Sequence, residues 1–170
     1  MDTALQRGFA SCPLQRYNPH EQHQFAEIHF VGGDVVQSTE VAQFRRVAWK
    51  RFEEAEFLLK GGYTTGAMYL SGYAVECMLK SLLIAQFPKR SHKAELDRCK
   101  QEVRHDLERL KHELAKKGVV VPGSVLPALV LVRTWTPEMR YESAARHVDE
   151  AEDFLAAVKA ILDWAKGKLS

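Results

Sequence analysis

Cysteine is scarce in this sequence. Cys12, Cys77 and Cys99 are the only three in 170 residues, they lie far apart, and no C-x-x-C pair occurs. That argues against a zinc ribbon, a redox pair and a disulfide-built secreted scaffold. It fits a reducing compartment, so a cytoplasmic location is expected. Long apolar runs are lacking too. The longest, Val125 to Val132, is broken by Pro127, and none approaches the ~18–20 residues that cross a bilayer. The first twenty residues have no unbroken apolar core behind a basic start, so no signal peptide and no membrane association are expected. Charge of one sign is not in excess. Lys plus Arg is 24 against 22 Asp plus Glu, so any nucleic-acid binding must rest on a local patch and not on the total.

Two familiar chemical signatures are also missing. Gly61-Gly62 sits between two helical patterns with no G-K-[ST] after it, which is not a phosphate loop. No G-x-S-x-G elbow occurs. What remains, 46% hydrophobic and 27% charged residues, describes one ordinary folded domain and excludes a disordered chain.

Residues 1–37 differ from the rest. They carry Pro13, Pro19, Gly32, Gly33 and three of the seven histidines. An irregular N-terminal arm is expected, with a short hairpin around Gly32-Gly33 as the alternative. His20, His23 and His29, with Glu21 and Glu27, lack the H-E-x-x-H spacing that puts two ligands and a base on one helix face. They read as surface histidines, so neither a metal nor a cofactor is expected.

Residues 38–170 read as helices. Ser38-Thr39 can cap a first helix whose apolar residues Val41, Phe44, Ala48, Phe52, Ala55 and Leu59 recur in steps of three and four. Gly61-Gly62 stops it. A second helix runs from Thr64 to Gln86, apolar nearly all round, so it is either central or shares a face with a second subunit. Glu76 and Lys80 on it stand i,i+4 and can pair. Residues 89–103 are charged and suggest a loop with a short helix. A third helix spans His105 to Lys117. Leu126 to Val132 reads as a short helix. The last helix starts at Thr136-Pro137-Glu138 or at Ser143 and ends near Lys166. The sum is an all-α, up-down bundle of four or five helices.

Some residues could carry chemistry. Arg45, Arg46, Lys50 and Arg51 surround Trp49 and could contact phosphates. The alternative is a solvated face balanced by Glu53, Glu54 and Glu56. Cys77, on an apolar helix, reads as a structural thiol.

Several segments resemble one family. Helix one (VAWKRFEEAEFLLKGG), the connection Tyr63-Thr64-Thr65 and helix two (AMYLSGYAVECMLKSLL) are similar to the opening hairpin of HEPN domains, the higher eukaryote and prokaryote nucleotide-binding family. Glu76 and Lys80 occupy the places of that family's E-x-x-x-K. His105-Asp106-Leu107 is similar to its H-D-L segment, and Arg140-Tyr141 to its R-Y. The resemblance spans residues 40–166. It implies a homodimer, with helix two and the last helix at the dimer surface. It also implies either a metal-independent ribonuclease with an R-x(4–6)-H motif, or a non-catalytic module that binds nucleotide, RNA or a protein partner. Some members are toxins held by a nucleotidyltransferase antitoxin.

Three arginine–histidine pairs have the right spacing: Arg16 to His23, Arg98 to His105, and Arg140 to His147. Position along the fold selects the third. On one helix, seven residues turn through about 700° and rise ~10.5 Å, so Arg140 and His147 would face one way without touching. Arginine would hold the phosphate, and the imidazole would move the 2′-hydroxyl proton. Tyr141, beside the arginine, is a further substrate contact. The alternative is structural: Arg140 pairs with Glu76 or Asp106, and His147 packs at a helix interface.

Overall fold

The computed structural model describes residues 38–169, and every regular element among them is helical. The arm, its hairpin and the histidines at 20, 23 and 29 lie outside the described residues.

Helix α1 spans Thr39–Lys60. Ser38 caps it, its Oγ accepting the Val41 N–H at 3.4 Å. Its apolar stripe buries Val41, Ala48, Phe52 and Ala55. The chain then reverses through Gly61 and Gly62, the latter at φ +80°, a conformation that side chains resist. Helix α2, Thr64–Ala85, returns alongside α1. By length and composition α2 could cross a bilayer, yet most of its apolar window is buried inside the bundle. Its apolarity serves the core: α1, α6 (Val148–Lys168), α4 (Leu107–Lys116) and α3 (His92–Arg98) all pack against it. Met78, Leu79, Leu82, Leu83 and Ile84 are fully buried with Leu110, Leu114, Phe154, Ile161 and Leu162. Each such side chain contributes about 1.5–3 kcal/mol relative to exposure.

Counting the short helices α3 and α5 (Leu126–Val132), the described residues form six. A 3₁₀ turn, Lys89–Ser91, leads into α3, and a π turn, Cys99–Val103, extends it. His92 locks this corner. It is buried, with Nδ1 2.6 Å from Ser38 Oγ and Nε2 2.7 Å from the Phe87 carbonyl. The carbonyl can only accept, so Nε2 carries the proton and Nδ1 receives the Ser38 hydroxyl. One imidazole thus joins the start of α1, the end of α2 and the start of α3.

Two helix starts differ from expectation. Helix α4 begins at Leu107, because Asp106 is its cap: Oδ1 accepts the Arg109 N–H at 2.8 Å. Helix α6 begins at Val148, after both expected starts. Thr136-Pro137 opens only a 3₁₀ turn, Pro137–Tyr141. The chain beyond it is held against the start of α2. Thr64 Oγ1 donates to the Arg146 carbonyl at 2.7 Å, and Thr65 Oγ1 to the Ala144 carbonyl at 2.8 Å. The Arg146 N–H donates back to Thr65 Oγ1 at 3.2 Å. These tertiary bonds outweigh the local helix signals.

Candidate nucleic-acid interface

Helix α2 is covered on most sides, but Gly66, Tyr69, Leu70, Tyr73 and Cys77 remain partly accessible. Their spacing, three to four residues, makes one stripe. The segment from Trp135 to Tyr141 crosses beside it. Trp135 is only 3% exposed and lies on Gly72, where a Cβ would stand 2.1 Å from the indole ring. Its Nε1 donates to the Tyr69 carbonyl at 3.0 Å. Tyr73 meets Trp135 at 5.0 Å, Tyr69 at 5.1 Å and His105 at 5.6 Å between ring centres, all near perpendicular. Such edge-to-face pairs add about 0.5–1.5 kcal/mol each beyond burial.

Arg140 stands at the edge of this cluster, exposed, on the 3₁₀ turn. Its guanidinium lies 4.7 Å from the Tyr141 ring centre. The phenol oxygens of Tyr141, then Tyr69, hold its pKa above the usual value. Tyr73 is pushed up to about 12, by burial first, then by the hydrogen bond that it shares with Tyr69 (3.3 Å) and the charge of Glu76, with Arg140 opposing. The Tyr73 phenol therefore keeps its proton at neutral pH.

Beneath the stripe lies an ionic group. Lys80 Nζ donates to Glu76 Oε1 at 2.5 Å, and both side chains are buried. The second carboxylate oxygen, Oε2, is 2.8 Å from His105 Nδ1.

The expected site residues are distributed as follows. Arg140 and His147 are both exposed but do not share a helix: Arg140 is on the 3₁₀ turn and His147 is the residue before α6. The two-turn helical geometry expected for them is corrected, since Glu142 and His147 are extended and break the helix between. Neither Glu76 nor Asp106 locks Arg140. Glu76 is bonded to Lys80 and His105, and Asp106 caps α4. Tyr141 is 75% exposed. Arg46 and Lys50 are exposed on α1 and Arg45 half-exposed. Trp49, between them, is no free stacking platform: it packs edge-on to Phe52, with the ammonium groups of Lys159 and Lys166 5.7 and 5.9 Å from its ring centre. Arg51 pairs with Glu54. Burial, first of all, raises the Cys77 thiol to about 11, consistent with an unreactive thiol. Among the described residues no three His, Cys, Asp or Glu side chains gather to hold a metal ion. The sequence reading missed Tyr69, Tyr73 and Trp135; the four-residue step from Tyr69 to Tyr73 to Cys77 was the available signal.

An antiparallel helical pair, crossed by a segment that presents an arginine among tyrosines, makes this a helical module with an exposed cationic edge. The HEPN domain family model matches residues 41–168, and the chain belongs to the HEPN family. No curated protein and no solved structure matches the chain.

Proposed function

We propose that this HEPN chain is a homodimer that binds single-stranded RNA, with Arg140 taking a backbone phosphate and the neighbouring tyrosines stacking on bases. The observation that carries it is the exposed Arg140 guanidinium, paired with no carboxylate among the described residues and steadied by Tyr69 and Tyr141. Guanidinium binds phosphate through two parallel N–H donors, and base stacking on an aromatic ring contributes about 1–3 kcal/mol. Arg46 and Lys50, exposed on α1, are further candidate phosphate contacts.

The test is anisotropy of a labelled single-stranded RNA with the full chain. Arg140→Ala should weaken binding at least tenfold, with the melting temperature unchanged. Unaltered affinity refutes the reading. A sedimentation measurement should give two copies per particle; a monomer refutes the homodimer.

The exposure of both Arg140 and His147 favours a second reading, metal-independent cleavage of the bound strand, as in a toxin restrained by a nucleotidyltransferase antitoxin. Labelled RNA incubated with EDTA tests it, with His147→Ala as the comparison. Equal cleavage by both proteins, or none by either, rejects His147.

A further inference from the structure

We propose that a second copy of this chain docks on the groove between α1 and α6, each copy placing Phe57 in the groove of the other. This rests on the homodimer reading above and locates its surface, on α1 and α6 and not on α2.

The two helices run antiparallel. The turn at Gly61 and Gly62 sends α2 back along α1, and Thr64, at the start of α2, is bonded to Arg146, just before α6. The end of α1 therefore lies beside the start of α6. Between them is an open cavity of about 540 Å³, with Leu59 and Leu155 in its apolar lining.

The charges around this cavity form a pattern. Glu56 and Lys60 border it on α1, Glu152 and Lys159 on α6. Each helix thus contributes one acid and one base, and the antiparallel course reverses their order across the groove. Lys60 stands at the end where Glu152 stands. Glu56 lies toward Lys159, whose ammonium is 5.7 Å from the Trp49 ring centre, further back along α1. A two-fold axis lying in the plane of the groove, along it or across it, sets every base against an acid of the other copy. The rim is therefore complementary to itself. Three of its charges are also uncommitted: Glu56, Lys60 and Glu152 have no ion-pair partner among the described residues. Lys159 pairs with Asp163 at 2.7 Å, an exposed pair that holds little energy and is readily exchanged.

An apolar anchor stands next to this rim. Phe57 is 78% exposed, the most exposed large apolar side chain among the described residues. It precedes Lys60 by three residues, so the two are neighbours on the surface of α1. In the single chain the ring is spent on water. At an interface, an aromatic ring seated in a pocket is the usual anchor. A cavity of about 150 Å³ holds a benzene ring, so the groove has room for one. The groove shares no residue with the Arg140 edge, and docking here can be tested apart from RNA binding.

The experiment is sedimentation equilibrium of the full chain and two charge-sorted variants. One carries Lys60→Glu and Lys159→Glu, which makes the rim wholly acidic. The other carries Glu56→Lys and Glu152→Lys, which makes it wholly basic. Each alone should be a monomer at concentrations where the wild type is a dimer. Mixed in equal amounts, the two should form a two-copy particle again. Melting curves by circular dichroism confirm that each is folded. Phe57→Ala alters no charge and is the independent arm: it should weaken association about tenfold or more with Tm within 2 °C of wild type. Charge-sorted variants that each dimerise like the wild type, a mixture that stays monomeric, or undiminished association of Phe57→Ala overturns the proposal. A wild-type dimer in any of these cases spares the homodimer reading. A wild-type monomer overturns both and leaves the groove to a different protein.

Discussion

Replacing Gly72 with alanine should loosen both the fold and the proposed RNA surface. The added Cβ would stand 2.1, 2.2 and 2.3 Å from three atoms of the Trp135 indole, whereas ordinary contact begins at 3.4 Å. The ring must retreat by about 1.3 Å or α2 must shift, and the α2 backbone there is enclosed by the core. Overpacking of this kind costs about 1–3 kcal/mol. Retreat also strains the bond from Trp135 Nε1 to the Tyr69 carbonyl, about 1 kcal/mol more. The total, about 3 kcal/mol, should lower Tm by roughly 10 °C for a domain of this size. Trp135 carries the segment that holds Arg140, so RNA affinity should drop about threefold or more at temperatures where the variant is folded. Thermal melting by circular dichroism and anisotropy with labelled RNA read the two effects. A Tm within 2 °C of wild type would refute the packing argument. A large Tm loss with unchanged affinity would show that Arg140 is positioned independently of Trp135.

Other perturbations separate the remaining contributions. Lys80→Met strips Glu76 of its buried counter-charge and should cost about 3 kcal/mol in urea unfolding, most of it recovered in the Glu76→Leu, Lys80→Met double variant; additive losses would contradict this. Arg104→Gly relieves a positive φ and should raise stability by about 1 kcal/mol, measured by the same unfolding curves; a loss would mean that the Arg104 side chain matters more than its backbone. Alkaline pH should destabilise the fold. The half-buried Cys77 thiol holds its proton to about pH 11 whereas the unfolded thiol releases it near 9, so stability is full below 9 and falls by about 2 kcal/mol between 9 and 11. Tyr73, raised to about 12, loses stability in the same direction from pH 10 upward. Unfolding of Cys77→Ala across this range should show a shallower fall, and an identical one would disprove the thiol's share. Thr65→Val removes the hydroxyl that joins Ala144 and Arg146 to α2 and should cost about 1 kcal/mol; faster amide exchange across residues 142–147 is the check.

Most of the helical framework was legible in the sequence. The α1 stripe from Val41 to Leu59, the glycine pair at 61–62 and the apolar α2 are local patterns, and local patterns decide helices when packing agrees with them. The start of α6 was not legible. Thr136-Pro137-Glu138 is a good helix opening, and only the hydroxyls of Thr64 and Thr65, some 80 residues away in sequence, reveal why no α-helix forms before Val148. The site divides the same way. Arg140 and Tyr141 stood out by their order along the chain. The contact of His105 with Glu76 joins residues 29 apart, and no spacing rule announces it. Tyr69 and Tyr73 had the right helical step but no sign that α2 would leave that edge uncovered. Gly72 gave no signal until Trp135 was found lying on it.

The stretch between Trp135 and Arg146 works like a short bridge on two abutments, one an indole seated in a notch of α2, the other a pair of threonine hydroxyls at that helix's first turn. Of what spans the gap, Met139 alone is buried in the core; Arg140 and Tyr141, both exposed, bear little of the bundle's weight. Those exposed residues can be exchanged to meet a different ligand, and the supports will hold as before.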